Sequence, residues 1–192
     1  MEMYSLETNR LYLNRLAEEQ IPKLLEYWNS PELRYITIDR NTMIPEGNHP
    51  YTVIYNKNDI LDIFKIWDNS SKYRSFGIFT KKENEIIGHI TYDYSWDPFS
   101  IILNLLIYPK YRNQGYAKEV TPFMIDEIFN TLVTHNIAVF IDEDETNAMK
   151  FAEYLGFKST GVIKHEFYRG GKLRNTHCYD ILRPEWRNTH AT

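Results

Sequence analysis

The part of the sequence with the clearest chemistry is a short basic turn between an apolar segment and a helix-forming segment. The turn is Arg112–Ala117, which reads RNQGYA, and it follows the apolar run that ends at Ile107. The first amide groups of a helix have no carbonyl partner within the helix, and the positive end of the helix dipole lies at the same place. The pattern R-x-x-G-x-A therefore predicts a place where an anion can bind.

The elements on either side of this turn can be read from the spacing of apolar residues. Ser100–Ile107 is nearly all apolar, which is typical of a central strand covered on both faces. The segment after the turn has a helical period, and Pro122 within it predicts a kink or an irregular first turn. The apolar side of this helix consists of Ala117, Val120, Met124, Ile128 and Leu132.

Two amphipathic helices are predicted in the N-terminal half, separated by a long loop. Pro22 falls in the first turn of the first helix, where a missing amide is harmless, and Asn58 or Asp59 is expected to cap the second helix. Residues 32–57 have little periodicity and are expected to form the loop, with a strand-like piece over Tyr51–Tyr55. The apolar faces of the two helices are Ile21, Leu24, Leu25 and Trp28, then Ile60, Ile63, Phe64 and Trp67.

The remaining segments complete an alternation of strands and helices. A short helix is expected to end at Gly156, and Gly170-Gly171 is expected to form the turn of the last hairpin. The order is β, α, α, β, β, β, α, β, α, β, β. The other predicted strands are residues 10–16, Phe76–Thr80, Ile86–Tyr94, Ile137–Ile141, Phe157–Ile163 and Lys172–Leu182.

The composition is that of a globular protein and excludes several classes of function. The chain has 192 residues, of which 43% are hydrophobic and 25% charged, so we expect one domain over residues 1–192. The net charge of −4 argues against nucleic acid as the main ligand. One cysteine excludes an internal disulfide. Because no signal segment or membrane-spanning run is present, we expect a cytoplasmic protein with no membrane partner.

The turn and its flanking segments resemble the GNAT superfamily of N-acetyltransferases, whose acyl-CoA-binding signature is (Q/R)-x-x-G-x-(G/A). The likeness extends to YLGF at residues 154–157, to TNRLYLNRL near the N-terminus and to GGKLRNTHCYDILRPEW near the C-terminus. Those two ends are most similar to the ribosomal-protein alanine N-acetyltransferase branch (RimJ/RimL type), which also includes small-amine and antibiotic acetyltransferases. The resemblance implies an α/β (α+β) fold, with a mixed, mostly antiparallel sheet of about seven strands flanked by about four helices.

The resemblance also implies that the basic turn binds the diphosphate of acetyl-CoA. Gly115 lets the backbone approach the diphosphate closely, and Asn113, where the family often has glycine, tolerates a left-handed backbone. By the same resemblance, the backbone of the preceding strand pairs with the pantetheine arm like an added strand. The implied cofactor-binding residues are Leu105, Leu106, Ile107, Arg112, Asn113, Gln114, Gly115, Tyr116, Ala117, Lys118 and Asn147.

In this family a tyrosine on the penultimate helix commonly gives a proton to the departing thiolate, and two positions compete for that place here. Counted forward from Asn147, the residue is Tyr154. Counted backward from Gly156, it is Ala152, because this helix is shorter than usual, and the same count puts Glu145 at the family's asparagine. Tyr154 is therefore a hypothesis for the general acid, and its other possible role is packing beside the sheet.

The sequence leaves the general base open. Some relatives use a carboxylate on the strand before the turn, and this chain has Ile102 at that place. Asp93, Asp142 and Glu143 are candidates, and a water relay ending on a main-chain carbonyl is an equal alternative. The histidines have no metal-like spacing, so no metal site is expected.

Together these features predict an acetyl-CoA-dependent N-acetyltransferase that acetylates a primary amine by direct attack of the amine on the thioester. The acceptor is expected to be a protein N-terminus or a small amine or antibiotic, reached from the side formed by residues 29–58 and the last hairpin. The protein is expected to be a monomer or a homodimer. The alternative is a non-catalytic acyl-CoA-binding regulatory or interaction domain on the same fold, because Ile102 and the displaced tyrosine leave catalysis unsupported.

Overall fold

The computed structural model describes residues 6–30, 33, 55–97, 99–169 and 172–190. Its strands are β1 (Leu6–Glu7), β2 (Leu11–Asn14), β3 (Tyr73–Thr80), β4 (Ile86–Asp97), β5 (Ser100–Ile107), β6 (Asn136–Asp142), β7 (Lys158–Arg169) and β8 (Lys172–Leu182). The α-helices in these residues are α1 (Ile21–Trp28), α2 (Lys57–Asn69), α3 (Tyr116–Thr131), α4 (Thr146–Tyr154) and α5 (Arg183–His190). None of these five helices is long and apolar enough to cross a membrane.

The strands form a mixed, mostly antiparallel sheet in the order β1-β2-β3-β4-β5-β6-β8-β7. Antiparallel registers join β1 to β2, β2 to β3, β6 to β8 and β7 to β8. The register of β5 with β6 is parallel and runs from Ser100 opposite Asn136 to Ile102 opposite Ala138. The predicted fold is confirmed, with eight strands and five described helices in place of about seven and about four.

The two elements that the sequence did not predict are β1 and α5. Two residues of β1 are too few for an alternating pattern. Helix α5 directly follows β8 and runs from Arg183 to His190. It is held by the Trp186 indole, which is 2% exposed and donates to Asp126 at 2.6 Å. The Arg183 guanidinium donates to the carbonyl of Leu132, just beyond the end of α3, at 2.6 Å and to that of Thr134 at 2.7 Å.

The chain divides into two compact units, of which the first comprises residues 1–91 and 105–120. In this unit buried Leu11 and Leu13 alternate with half-buried residues along β2, which lies within the strand predicted over residues 10–16. The predicted apolar faces of α1 and α2 are confirmed, except that Leu25 and Ile63 are half-buried rather than fully buried. The buried members are Ile21, Leu24 and Trp28 on α1, and Ile60, Phe64 and Trp67 on α2.

The cap of α2 is Asn56, and the prediction of Asn58 or Asp59 was wrong. The Asn56 side chain accepts hydrogen bonds from the amides of Asn58 and Asp59 at 2.8 and 3.3 Å. The Asp59 carboxylate accepts from the Asn56 amide at 2.7 Å. This reciprocal pair is a capping box, so Asp59 contributes from inside the first turn.

The second unit comprises residues 92–104 and 121–192. Gly156, which has a φ of +92°, closes helix α4 as predicted and lies two residues after the last helical residue, Tyr154. The amide of Phe157 donates to the carbonyl of Ala152 at 3.0 Å and that of Gly156 to Glu153 at 2.9 Å, the two bonds of a Schellman motif. The core of this unit includes Met124, Ile125, Ile128, Phe129, Ile137, Leu155, Phe157, Tyr179, Ile181 and Trp186.

Several predictions lie outside the described residues. They are the Gly170-Gly171 turn and most of the long loop, including its strand-like piece apart from Tyr55. Tyr55 and Asn56 directly precede α2, which begins at Lys57.

Candidate functional site

The predicted turn lies in the first unit, between the end of β5 and the start of α3. After Ile107 the chain forms a 3-10 turn over Pro109–Tyr111, and the amide of Arg112 donates to the carbonyl of Pro109 at 3.2 Å. Helix α3 then begins at Tyr116. The turn therefore occupies the strand-to-helix junction that the sequence predicted.

Two residues of the turn have a left-handed backbone. Asn113 has a φ of +60° and Gly115 a φ of +81°. The expectation that Asn113 accepts this conformation is confirmed. Asparagine and glycine are the residues for which a left-handed backbone costs least, so the sequence RNQGYA is suited to this geometry.

The turn presents a row of backbone amides for which the described residues supply no partner. Within the described part of the chain, no protein acceptor pairs with the amides of Asn113–Ala117. Beyond these residues, the amide of Glu119 donates to the carbonyl of Gly115 at 3.2 Å, as in an α-helix. Unpaired amides at a helix start, together with the positive end of the helix dipole, form an anion-binding site.

Side chains in the turn and directly beside it hold its shape and add positive charge. The Nε of Arg112 donates to the carbonyl of Ile107 at 3.0 Å, which ties the guanidinium to the end of β5. The Gln114 side chain donates to the carbonyl of Lys110 at 3.0 Å. Arg112, Lys110 and Lys118 are exposed. Lys110 lies 3.6 Å from Glu85, so part of its charge is offset.

Arg10, which the sequence did not single out, joins the start of β2 to the turn. Its Nη1 donates to the carbonyl of Gln114 at 3.1 Å, and its Nε donates to the Glu119 carboxylate at 2.6 Å. Its guanidinium lies 4.6 Å from the centre of the Tyr116 ring. Thr8 and the Arg10 amide also donate to Glu119, at 2.6 and 2.7 Å. Because Arg10 and the turn are about a hundred residues apart in the chain, no local pattern predicts these contacts.

The carboxylate of Glu119 is stabilised in its charged form by this arrangement. Burial by itself would raise the pKa of Glu119, but the hydrogen bonds from Thr8 and Arg10 hold that pKa below its ordinary value. Glu119 therefore stays ionised and anchors three donors from the residues beside β2.

The end of β5 lies close to β4 within the same unit. A Cβ built on Gly88 would lie 2.1 Å from the carbonyl oxygen of Leu106. The amide of Tyr108 donates to the carbonyl of Ile87 at 2.9 Å. Leu105 and Leu106 are half-buried, and Ile107 is 8% exposed. The register of β5 with β6 covers Ser100–Ile102, the first three of the eight residues of β5.

His89 lies beside this strand pair, in the core of the first unit. Its ring centre is 5.8 Å from that of Trp28 and 6.2 Å from that of Tyr108. Burial lowers the pKa of His89 to about 4, so the imidazole is neutral at pH 7. These surroundings are those of a packed core histidine.

The residues proposed for the acid step lie in the second unit, on or beside α4. Tyr154 is the last residue of α4, is 65% exposed, and stacks on Phe151 with ring centres 6.3 Å apart. Ala152 is 5% exposed. Asn147 is exposed in the first turn of the helix, and Glu145 directly precedes it.

The candidate bases are in contrasting environments within the second unit. Asp93 and Asp142 are buried, at 3% and 6% exposure. The Glu143 carboxylate lies 3.6 Å from the Arg174 guanidinium, which also contacts Asp144 at 3.0 Å. Glu143 is thus part of an ion-pair group. Among the described residues, no three His, Cys, Asp or Glu side chains form a group that could hold a metal ion.

Comparison with known proteins agrees with this architecture. The model of the acetyltransferase (GNAT) domain family matches residues 10–158. An uncharacterized N-acetyltransferase, p20, from Bacillus licheniformis is 22% identical over 186 residues, which cover 96% of this chain and 99% of that protein. Spermidine N(1)-acetyltransferase from Escherichia coli is 26% identical over 88 residues, which cover 46% of this chain and 47% of that enzyme.

Solved structures show the same fold. A GNAT-family acetyltransferase from Bacillus anthracis superposes with a TM-score of 0.76 at 20% identity, over 94% of this chain and 99% of that one. Spermidine N-acetyltransferase from Vibrio cholerae, in complex with CoA and spermine, has a TM-score of 0.76 at 16% identity, over 92% and 98% of the two chains. With the family model covering most of the chain, the protein belongs to the GNAT family of N-acetyltransferases.

Proposed function

We propose that the protein transfers the acetyl group of acetyl-CoA to a primary amine, and that the turn Arg112–Ala117 binds the diphosphate of the cofactor. The observation that carries this proposal is the row of unpaired amides over Asn113–Ala117 at the start of α3. A diphosphate accepts several hydrogen bonds at once, and charge-assisted bonds of this kind are about twice as strong as neutral ones. The guanidinium of Arg112 supplies the counter-charge.

The pantetheine arm would lie along the end of β5. The register of β5 with β6 covers only Ser100–Ile102, which supports the use of the backbone of Leu105–Ile107 for an added strand. Backbone pairing of this type positions an extended ligand without fixing the nature of its side groups. The remaining members of the proposed cofactor set are Gln114, Tyr116, Ala117, Lys118 and Asn147.

The reaction needs a neutral amine, a positioned thioester and a proton for the leaving thiolate. The amine nitrogen forms the new bond to the acyl carbon and loses a proton, while the bond from carbon to sulfur breaks and the sulfur receives a proton. Holding the amine and the thioester together supplies a large part of the acceleration. Tyr154 is our hypothesis for the proton donor, and Tyr154→Phe tests it. An unchanged turnover and pH profile would exclude Tyr154 as the acid.

We propose two classes of acceptor, peptide N-termini and small polyamines, which the assay below distinguishes. The sequence of the two chain ends favours the RimJ/RimL branch and therefore peptide N-termini. The relatives and structural neighbours that are named spermidine N-acetyltransferases favour a small polyamine. Both acceptors present a primary amine with a pKa that requires loss of a proton before attack.

The test is release of the CoA thiol from acetyl-CoA in the presence of each acceptor. The panel contains spermidine, spermine and peptides that begin with alanine or serine. Turnover with one class and mass-spectrometric detection of the acetylated amine would support the proposal. Tight binding of acetyl-CoA without turnover on any acceptor would favour the non-catalytic alternative.

We further propose that residues 1–192 act as one domain, as a cytoplasmic monomer or homodimer. Cooperative unfolding in a single transition would support one domain, and light scattering would give the oligomeric state.

A further inference from the structure

We propose that Arg10 is a positioning residue for the cofactor, because it orients the amide of Gly115 and neutralises Glu119 beside the diphosphate site. This inference rests on the proposed function of the turn. Arg10 lies outside the R-x-x-G-x-A turn and precedes β2, yet it contacts the turn or its helix at three places: the carbonyl of Gln114, the ring of Tyr116 and the carboxylate of Glu119.

The first argument comes from the geometry of one peptide group. Gln114 and Gly115 share a planar trans peptide, in which the carbonyl and the amide point in opposite directions. The Nη1 of Arg10 holds the Gln114 carbonyl at 3.1 Å. The Gly115 amide therefore points away from Arg10, and it is one of the amides without a partner in the described part of the chain. Loss of Arg10 would free this peptide to rotate, since Gly115 tolerates many backbone conformations.

The second argument is electrostatic. Glu119 lies in the first turn of α3, next to the place proposed for a diphosphate, and its side chain is 17% exposed. An unneutralised carboxylate there would repel the cofactor. The Nε of Arg10 pairs with it at 2.6 Å, and Thr8 and the Arg10 amide complete its hydrogen bonds. By pairing with Glu119, Arg10 offsets the negative charge that would repel the diphosphate, and the ion pair also joins Arg10 to α3.

The third argument concerns residue type. A guanidinium donates in two directions at once and stacks on an aromatic ring, whereas a lysine ammonium is a point charge. Arg10 uses these properties together, through Gln114, Glu119 and Tyr116. Arg10→Lys is therefore expected to restore the charge but only part of the orientation.

The experiment measures the Kd of CoA by calorimetry for the full chain and for Arg10→Gln, Arg10→Lys, Glu119→Gln and the double variant Arg10→Gln/Glu119→Gln. Loss of one charge-assisted contact corresponds to about a tenfold weaker Kd for Arg10→Gln. Arg10→Lys should fall between the wild type and Arg10→Gln. The double variant should bind CoA better than Arg10→Gln alone, because it also removes the repulsive carboxylate.

A matched control is Arg15→Gln, which removes an arginine next to β2 that pairs with Asp68. Its Kd for CoA should equal that of the wild type. A second control replaces CoA with pantetheine, which lacks the diphosphate. Its binding, followed by nuclear magnetic resonance, should be the same for the wild type and Arg10→Gln.

The outcomes separate the inference from the proposed function. If the wild type binds CoA and Arg10→Gln binds it equally well, the inference is overturned and the proposed function stands. If Arg10→Gln weakens CoA and pantetheine by the same factor, the effect is a general loss of structure, and the inference is again overturned. If the wild type does not bind CoA, both fall. If Arg10→Gln does not fold, the Kd of CoA for Arg10→Lys decides. A Kd weaker than that of the wild type would support the inference, and an equal Kd would overturn it.

Discussion

Replacing Gly88 with alanine tests how closely β4 approaches the segment of β5 that we propose pairs with the cofactor. The added Cβ would lie 2.1 Å from the carbonyl oxygen and 3.1 Å from the carbonyl carbon of Leu106. A carbon and an oxygen that do not bond require more than 3 Å, so the two strands must separate locally by about 1 Å. Both contacts are with the backbone, which cannot rotate away as a side chain can.

The expected cost lies at the upper end of the range for overpacking, about 3 kcal/mol. For a chain of this size, each kcal/mol lowers the melting temperature by about 2–4 °C, so Gly88→Ala should lower it by about 6–12 °C. The displaced Leu106 should also weaken CoA binding, because a misplacement of about 1 Å at a substrate-positioning element can reduce activity by about a hundredfold.

Gly77→Ala in β3 is the matched control. Its Cβ would lie 2.5 Å from the Cδ2 of Leu16 and 2.7 Å from the Cε2 of Phe79. These are the far ends of side chains, so they can move, and a cost of about 1 kcal/mol is expected. Thermal unfolding followed by circular dichroism, together with calorimetric titration of CoA, measures both effects. A Gly88→Ala variant that melts and binds CoA like the wild type would refute the close approach of the two strands.

Three further changes test single features of the structure. Asn113 has a φ of +60°, so Asn113→Gly should leave the melting temperature unchanged or raise it. Asn113→Val should lower the free energy of unfolding, measured in urea, by about 1–2 kcal/mol. Asn56→Ala removes the cap of α2 and should cost about 1 kcal/mol; a midpoint equal to that of the wild type would contradict the capping box. The pKa of Glu119 in the folded protein lies below its ordinary value, so its stabilising bonds are fully present above the ordinary carboxyl pKa and are lost as the pH falls through the lower folded value. The difference in unfolding free energy between the wild type and Glu119→Gln should therefore shrink on acidification, and a difference that grows would contradict the assignment.

The turn could be predicted because its determinants are local. The apolar run to Ile107, the glycine at 115 and the helical period after it lie within one short stretch of sequence. The left-handed backbone of Asn113 followed from the tolerance of asparagine for that conformation, and the structure has it. Secondary structure elsewhere was predictable for the same reason, since α1 and α2 have strong apolar periods and β5 is a nearly continuous apolar run.

The support for the turn could not be predicted, because it comes from residues far away in the chain. Arg10 and Glu119 meet through the tertiary fold, and neither stands in a pattern that indicates a partner. The cap of α2 was misplaced by two or three residues, because Asn56, Asn58 and Asp59 are all residues that cap helices. The capping box selects Asn56, and it depends on a side chain that bonds back to the cap residue.

The position of the general acid could not be predicted from the sequence by counting along α4. Two ways of counting along α4 gave Tyr154 or Ala152 for the position of the acid. In the structure Tyr154 is exposed at the end of the helix and Ala152 is buried. An alanine has no proton to donate, so Tyr154→Phe is the substitution that tests the acid step.

The most direct test of the central claim is a titration of CoA followed by the backbone amide resonances of Asn113–Ala117. We expect saturable shifts of these amides with CoA, and no shift of them with pantetheine, because only CoA carries the diphosphate. CoA that binds to the protein without perturbing these amides would contradict the claim that the turn holds the cofactor.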